Sequence, residues 1–250
     1  MRNRIPKTAH YAQRVALAES RPCSVAPPGS FVHPIRINRT RHLIGDYPSR
    51  LMGKAMAFHS SYELLLCELL DLLLLITAFW TQPQSFKFML DGKWHIYTPD
   101  AVVELASGVA LMIEVKPSDR IDDRSSDAWI AIEEAIKEAG FGFAIASDDL
   151  LLTETLRDNL TALSRYRHYR FRQAELDGIA TTLASRSLSV GELRRSLDQS
   201  CGDRLIEAAI FHRLLFVDLW HPITDDTIVS STQPASSEFT DKLWSVSCAR

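Results

Sequence analysis

Two apolar runs folded about a short turn constrain this chain more than any other feature. They lie in the stretch YTPDAVVELASGVALMIEVKPSD, Tyr97 to Asp119. Ala106-Ser107-Gly108 is the turn signal, and the flanking runs are rich in Val, Leu and Ile, so the segment reads as an antiparallel β-hairpin pivoting on Ser107. With that pivot, residues whose numbers sum to about 214 face one another, which sets Asp100 opposite Glu114 at roughly 5 Å. Side chains alternate across a strand, so Met112, Glu114 and Lys116 share one face and Leu111, Ile113 and Val115 the other. The expectation is one core face and one charge-bearing face.

Two carboxylates held this close raise each other's pKa unless something positive lies between them. A divalent cation meets that need, and hard oxygen ligands select Mg²⁺, with Mn²⁺ as a substitute. Pro99-Asp100, a hairpin, then Glu114-Val115-Lys116 has the P-D…(D/E)-x-K form of metal-dependent nucleases. In that chemistry Asp100, Glu114 and the Val115 carbonyl hold the cation, which polarises the scissile phosphate and activates a water. Lys116 orients that water and neutralises charge developing on the phosphate. Glu63 supplies another ligand or serves a second cation. It also fits a capping box with Ser60, and the two roles are compatible because a helix N-terminus can present its first turn to a site.

The 250 residues, 46% of them hydrophobic, suffice for one large domain or two modest ones. A net charge of −3 announces no nucleic acid, but the distribution is uneven. Arg2, Arg4, Lys7, Arg14, Arg21, Arg36, Arg39, Arg41 and Arg50 face only Glu19 and Asp46 in the first fifty residues, where Pro6, Pro22, Pro27, Pro28 and Pro34 favour extended chain. Cys23, Cys67, Cys201 and Cys248 are scattered without C-x-x-C spacing, so neither a zinc knuckle nor a disulfide framework is indicated, and a reducing cytoplasm is expected. No apolar segment follows the N-terminal arginines as in a signal peptide. The run LLLCELLDLLLLITAFW, Leu64 to Trp80, carries Glu68 and Asp71 and is shorter than a membrane span, so it reads as a buried helix.

Along the chain, Ser60 or Ser61 opens the leucine-rich helix, and Gln82 to Leu90, the Asp91-Gly92 turn and KWHIYTPD form a further hairpin. Trp129 to Ala139 reads as a helix closed by Gly140, and Phe141 to Ser147 as a buried strand. This order gives a three-layer α/β domain with a mixed sheet flanked by helices. Arg165, Arg167, Arg170 and Arg172 alternate with aromatics in RYRHYRFR, which suits phosphate contact with stacking, or else an exposed edge or linker whose arginines deter aggregation. Beyond it, AELDGIATTLASR, SVGELRRSL with a Ser189 cap, and CGDRLIEAAIFHRLL read as three helices, and LLFVDLW and DTIVSS as two strands of a wing. That pattern is a winged helix, which binds DNA or, as its modest basicity favours, another protein. The expected organisation is a basic Pro-rich arm over 1–45, a catalytic domain over 46–172, a winged-helix-like domain over 173–230 and a tail over 231–250. Phe239, Leu243 and Trp244 form a candidate docking face in that tail.

The strings PSRLMGKAMAFHSSYELLLCELLDLL, TQPQSFKF, GKWHIYTPDAVVEL, ALMIEVKPSD and GFAIASDDLLLTETLRDNLTALSRYR resemble the TnsA family, the endonuclease subunit of heteromeric transposases, over roughly Asp46 to Ser230. The resemblance places the family's helix glutamate on Glu63, its metal-binding aspartate on Asp100 and its E-x-K pair on Glu114 and Lys116, with Gln82 of Gln82-Pro83 lining the site. It implies a restriction-endonuclease-like fold that cuts the 5′ strands at transposon ends in double-stranded DNA. A DDE transposase subunit acts on the 3′ strands, and an AAA+ ATPase regulator docks on the C-terminal region. Where the family often has Glu-Ser before the catalytic glutamate, this chain has His59-Ser60. A stand-alone repair or restriction-type nuclease and a non-catalytic DNA-binding adaptor of the same fold remain alternatives.

Overall fold

A computed structural model of the chain describes residues 24–25, 43–123, 126–183, 187–197 and 202–232. Phe239, Leu243, Trp244 and almost all of the basic arm lie outside the described residues. The described chain divides into two compact units. The first holds the residues up to Asp71 together with Ile76–Leu151, and the second holds Leu72–Leu75 and the residues from Leu152 on.

The first unit is mixed α/β. Strands β2 (Gly45–Ser49) and β3 (Lys54–Phe58) form a hairpin with Tyr47 opposite Met56. Helix α1 (Ser61–Leu72) follows, and then β4 (Ile76–Thr81). The apolar run Leu64–Trp80 is therefore not one buried helix, as its composition suggests. Leu-rich chain forms the helix, while the β-branched and aromatic ITAFWT takes the strand, a pleated position that suits such side chains. Asp71 interrupts the run for a structural reason. Its buried carboxylate accepts from Tyr47 Oη (3.1 Å), Ser49 Oγ (2.6 Å) and the backbone N–H groups of Arg50 (2.9 Å) and Leu51 (2.8 Å), tying α1 to the β2–β3 turn. Among the described residues no helix is long and apolar enough to cross a membrane.

β5 (Gln84–Leu90) and β6 (Lys93–Tyr97) pair antiparallel across Asp91 and Gly92, whose φ values of 50° and 71° are those of a two-residue hairpin turn. β1 (Ser24–Val25) adds to β5 on its other side, giving the order β1-β5-β6. The second sheet has the order β4-β7-β8-β9, with β7 at Ala101–Leu105, β8 at Ala110–Val115 and β9 at Gly142–Ala146. β4, β7 and β8 run antiparallel in turn, and β8 and β9 run parallel, so the sheet is mixed. In the β7–β8 hairpin Ala101 faces Ile113, Val102 faces Met112 and Val103 faces Leu111, the register that a Ser107 pivot requires.

The expected division of β8 into a core face and a charged face does not hold. Leu111, Met112 and Ile113 are all buried, so both faces of β8, an inner strand paired to β7 and β9, are covered. Charge is admitted only where the strand ends. Between β8 and β9 come a short 3₁₀ segment (Ser118–Asp123) and helix α2 (Ser126–Glu138), which packs against β5 and β9. Gly140 at φ 88° closes α2: its N–H donates to Lys137 O (2.9 Å), and Phe141 N–H donates to Ile136 O (3.2 Å).

The second unit is helical. A short α3 (Asp148–Leu151) precedes it, and the division falls at Leu151–Leu152, whereas the sequence places a boundary after Arg172. Helix α4 (Glu154–Ser164) packs on α7 (Gly202–Phe211), and Asn159 Nδ2 donates to Leu219 O and His221 O, each at 2.9 Å. Between them come α5 (Gln173–Leu183), β10 (Leu188–Ser189) and α6 (Val190–Ser196). Ser189 caps α6 through a reciprocal box with Glu192, as the sequence indicates. β11 (Ile228–Val229) pairs antiparallel with β10, and Phe216 bridges Ser230. LLFVDLW is therefore not a strand along its length. Asp218 Oδ1 accepts from Trp220 N–H at 2.9 Å, a local turn that ends extended pairing soon after Phe216.

Candidate metal centre

The C-terminal end of β8 opens into a cleft of about 670 Å³ lined by His59, Ser60, Glu63, Asp100, Glu114, Val115, Lys116, Asp119 and Arg120 among others. Ligand sites in open α/β sheets occur at the carboxyl ends of strands, where side chains leave the sheet without breaking its ladder. Glu63, Asp100, Glu114, Val115 and Lys116 are thus brought to one place from three separate stretches of sequence. Gln82 is not in the lining; it stands behind His59.

Each acid is held by identifiable partners. Asp100 follows Pro99 at the entry to β7, and its Oδ2 accepts from Val115 N–H at 2.7 Å across the hairpin. Burial, then the charges of Glu114 and Glu63, push its carboxyl well above the usual range, and the Val115 N–H offsets this only in part. Glu114 is 8% exposed, and its Oε2 accepts from Tyr97 Oη at 2.6 Å. Tyr97 is fixed in turn by an aromatic cluster, its ring centroid lying 6.3 Å from those of both Trp129 and Phe143. Lys116 continues the β8–β9 ladder, its N–H donating to Ala146 O at 3.0 Å.

Glu63 opens α1. Its N–H donates to Ser60 Oγ (3.1 Å), while its carboxylate accepts from Ser60 Oγ (3.0 Å) and His59 N–H (2.9 Å). This is the expected cap, reaching one residue further back than a standard capping box. Charge at a helix N-terminus is favourable, so the glutamate is stable there despite its acidic neighbours.

The arginine strip lies in the second unit, in the loop between α4 and α5, so it is not an edge strand. Two of its members serve the unit's own packing. Arg167 sits over the Phe211 ring at 5.6 Å, and Arg172 grips buried Glu175 through its backbone N–H (2.7 Å), Nε (3.0 Å) and Nη2 (2.8 Å). Those contacts, the Arg172 backbone N–H first among them, hold the Glu175 carboxyl below its ordinary pKa. Arg165 and Arg170 are exposed.

Tyr97, His59 and Arg120 are not legible as site residues in the sequence. Tyr97 belongs to the β1-β5-β6 sheet and Glu114 to the other, so their bond crosses two sheets that no local pattern relates. The one available signal is the position of Tyr97 just ahead of Pro99-Asp100.

The donor set suits a hard divalent cation. Asp100 and Glu114 supply oxygen donors, and the Asp100 carboxyl is raised first by its burial and then by the charges of Glu114 and Glu63. Among the described residues no group of three or more His, Cys, Asp or Glu side chains that could hold a metal ion is found. Comparison with known proteins finds no matching family model and no matching curated protein.

Proposed function

We propose that this chain is a Mg²⁺-dependent endodeoxyribonuclease of the PD-(D/E)XK type, with a restriction-endonuclease-like first unit. The observation that carries this reading is the β7–β8 register, which sets Asp100 against Glu114 with Lys116 two residues on, all lining one cleft. Asp100, Glu114 and the Val115 carbonyl would hold the cation, with Glu63 adding charge from α1. The cation, when bound, supplies Lewis-acid polarisation of a phosphate oxygen and acidification of a water. Tyr97 keeps the Glu114 carboxylate in its orientation through the 2.6 Å bond. Lys116 donates to the attacking water or to a non-bridging phosphate oxygen, where negative charge develops. The apolar wall of β8 limits bulk water behind the acids and strengthens these charge interactions.

The resemblance to TnsA extends the proposal to a biological setting: cleavage of 5′ strands at transposon ends beside a DDE transposase subunit and an AAA+ ATPase regulator. The second unit's order of helix, short strand, two helices and a returning strand supports a winged helix, since β10 pairs with β11 and Phe216 bridges Ser230. Incubation of the purified chain with a transposon-end duplex and Mg²⁺, with and without those partners, tests the reading. Asp100→Ala and Glu114→Ala should each abolish cleavage while the protein stays folded by thermal melting. Full activity in either variant would overturn the assignment.

A further inference from the structure

Glu63 and Asp100 lie on different elements, and two side chains outside the acid pair join them. Gln82 adopts φ 45°, a left-handed conformation that a non-glycine residue keeps only when its surroundings enforce it. Its N–H donates to Asp100 O at 2.7 Å. Its side-chain amide lies 2.6 Å from His59 Nδ1, and His59 N–H donates to Glu63 Oε2 at 2.9 Å. A continuous hydrogen-bonded path therefore runs from the Asp100 backbone through Gln82 and His59 to the Glu63 carboxylate. His59 Nε2 and Gln82 Oε1 are buried without a partner among the described residues, so the polar capacity of both side chains is spent on this one link. Orphaned buried polar atoms are costly, and their retention beside a strained backbone needs a reason.

Electrostatics supplies one. The charges of Glu63 and Asp100 oppose each other, Glu63 raising the Asp100 carboxyl after burial and Glu114, and a hydrogen-bonded tie resists that repulsion. We propose that Gln82 and His59 are positioning residues, a bracket that sets the placement of Glu63 relative to Asp100 before the cation binds. The bracket rests on the cation-dependent reading of the cleft. It acts through His59 Nδ1 and not through Nε2, so the imidazole need not touch substrate.

Calorimetric titration of the full-length protein with Mn²⁺ tests this without recourse to activity. Gln82→Asn tolerates the left-handed backbone but is one methylene too short to reach His59. His59→Leu removes the ring nitrogens, and His59→Asn restores a polar atom where Nδ1 stands while omitting Nε2. Supporting partners of metal ligands change affinity by about 10-fold to 100-fold. Gln82→Asn and His59→Leu should therefore weaken Mn²⁺ binding about 10-fold, with His59→Asn within about 2-fold of the parent. Gln82→Gly, which accepts the same φ, replaces the Asn variant if that one does not fold. Parent-like binding in Gln82→Asn and His59→Leu, with binding lost in Asp100→Asn, overturns the bracket and leaves the cation site standing. Weak binding in His59→Asn equal to that in His59→Leu also overturns it, by assigning the role to Nε2. Parent-like binding in Asp100→Asn removes the cation reading itself.

Discussion

Replacing Asp100 by Asn is expected to stabilise the cation-free protein at neutral pH, the reverse of most polar substitutions at a half-buried site. The carboxyl is held above its ordinary pKa by burial and by Glu114 and Glu63. As pH rises from the usual carboxylate range through that raised value, the native state gives up a proton the unfolded chain has already lost. Stability therefore falls with rising pH over this window. Two unit charges about 5 Å apart at an effective dielectric near 20 repel by about 3 kcal/mol. Asn removes that repulsion but makes the bond from Val115 N–H a neutral one, at a cost of about 1 kcal/mol. The net gain is about 2 kcal/mol where the carboxyl is ionised, roughly 10 °C in the melting of the unit that holds the site. It should shrink toward zero as pH falls to the ordinary carboxylate range. Circular-dichroism melts of both proteins from the ordinary carboxylate range up to alkaline pH measure this at low salt. Saturating Mg²⁺ should reverse the order, because only the parent gains binding free energy. An Asn variant less stable than the parent at alkaline pH without cation, or a parallel pH dependence, would refute the electrostatic argument.

Three further outcomes are expected. Lys116→Ala should lower single-turnover cleavage by about 10²-fold to 10³-fold, the usual effect of losing one donor to developing charge, while Mn²⁺ affinity by calorimetry stays near the parent's. Tyr97→Phe keeps the ring packed against Trp129 and Phe143 and removes the hydroxyl alone, so urea unfolding should report a loss of about 1.5 to 3 kcal/mol, the range for a bond to a charged group. Arg165→Ala with Arg170→Ala should reduce the salt slope of DNA binding by about one unit for each phosphate no longer neutralised; an unchanged slope would show that the strip does not meet phosphates.

The hairpin register is readable in the sequence because it depends on local information alone: a turn at Ser107 and strict alternation on either side. The Ser189 and Ser60 caps are readable for the same reason, since a cap and its reciprocal glutamate lie within one turn. What the sequence hides is everything that requires knowing a strand's neighbours. Alternation alone gives β8 a solvated face, because its parallel partner β9, which makes β8 an inner strand, arrives only after α2 and leaves no mark in the strand's own sequence. The run Leu64–Trp80 passes for one helix because apolar content is shared by buried helices and buried strands; the shift from Leu to ITAFWT is the signal that separates them. The arginines of RYRHYRFR look equivalent in sequence, yet Arg172 is engaged by Glu175 while still exposed and Arg167 lies over Phe211, so the four are not interchangeable.

Glu63 shows why a capping role and a catalytic role need not compete. A carboxylate offers about four lone-pair sites, and the cap uses one on each oxygen, from His59 N–H and Ser60 Oγ. Capacity remains for a cation or its bound waters. The cap also does something a free glutamate could not: it fixes the rotamer of an otherwise flexible side chain, so little further entropy is lost when a ligand arrives. Asp100 and Glu114 are treated alike, the first by Val115 N–H and the second by Tyr97 Oη. Neutral donors from the chain thus reach all three acids and help to orient them. In the cleft, the same pinning limits the reorganisation each acid would need before acting on a ligand, which is how a capping role and a functional role can share one carboxylate.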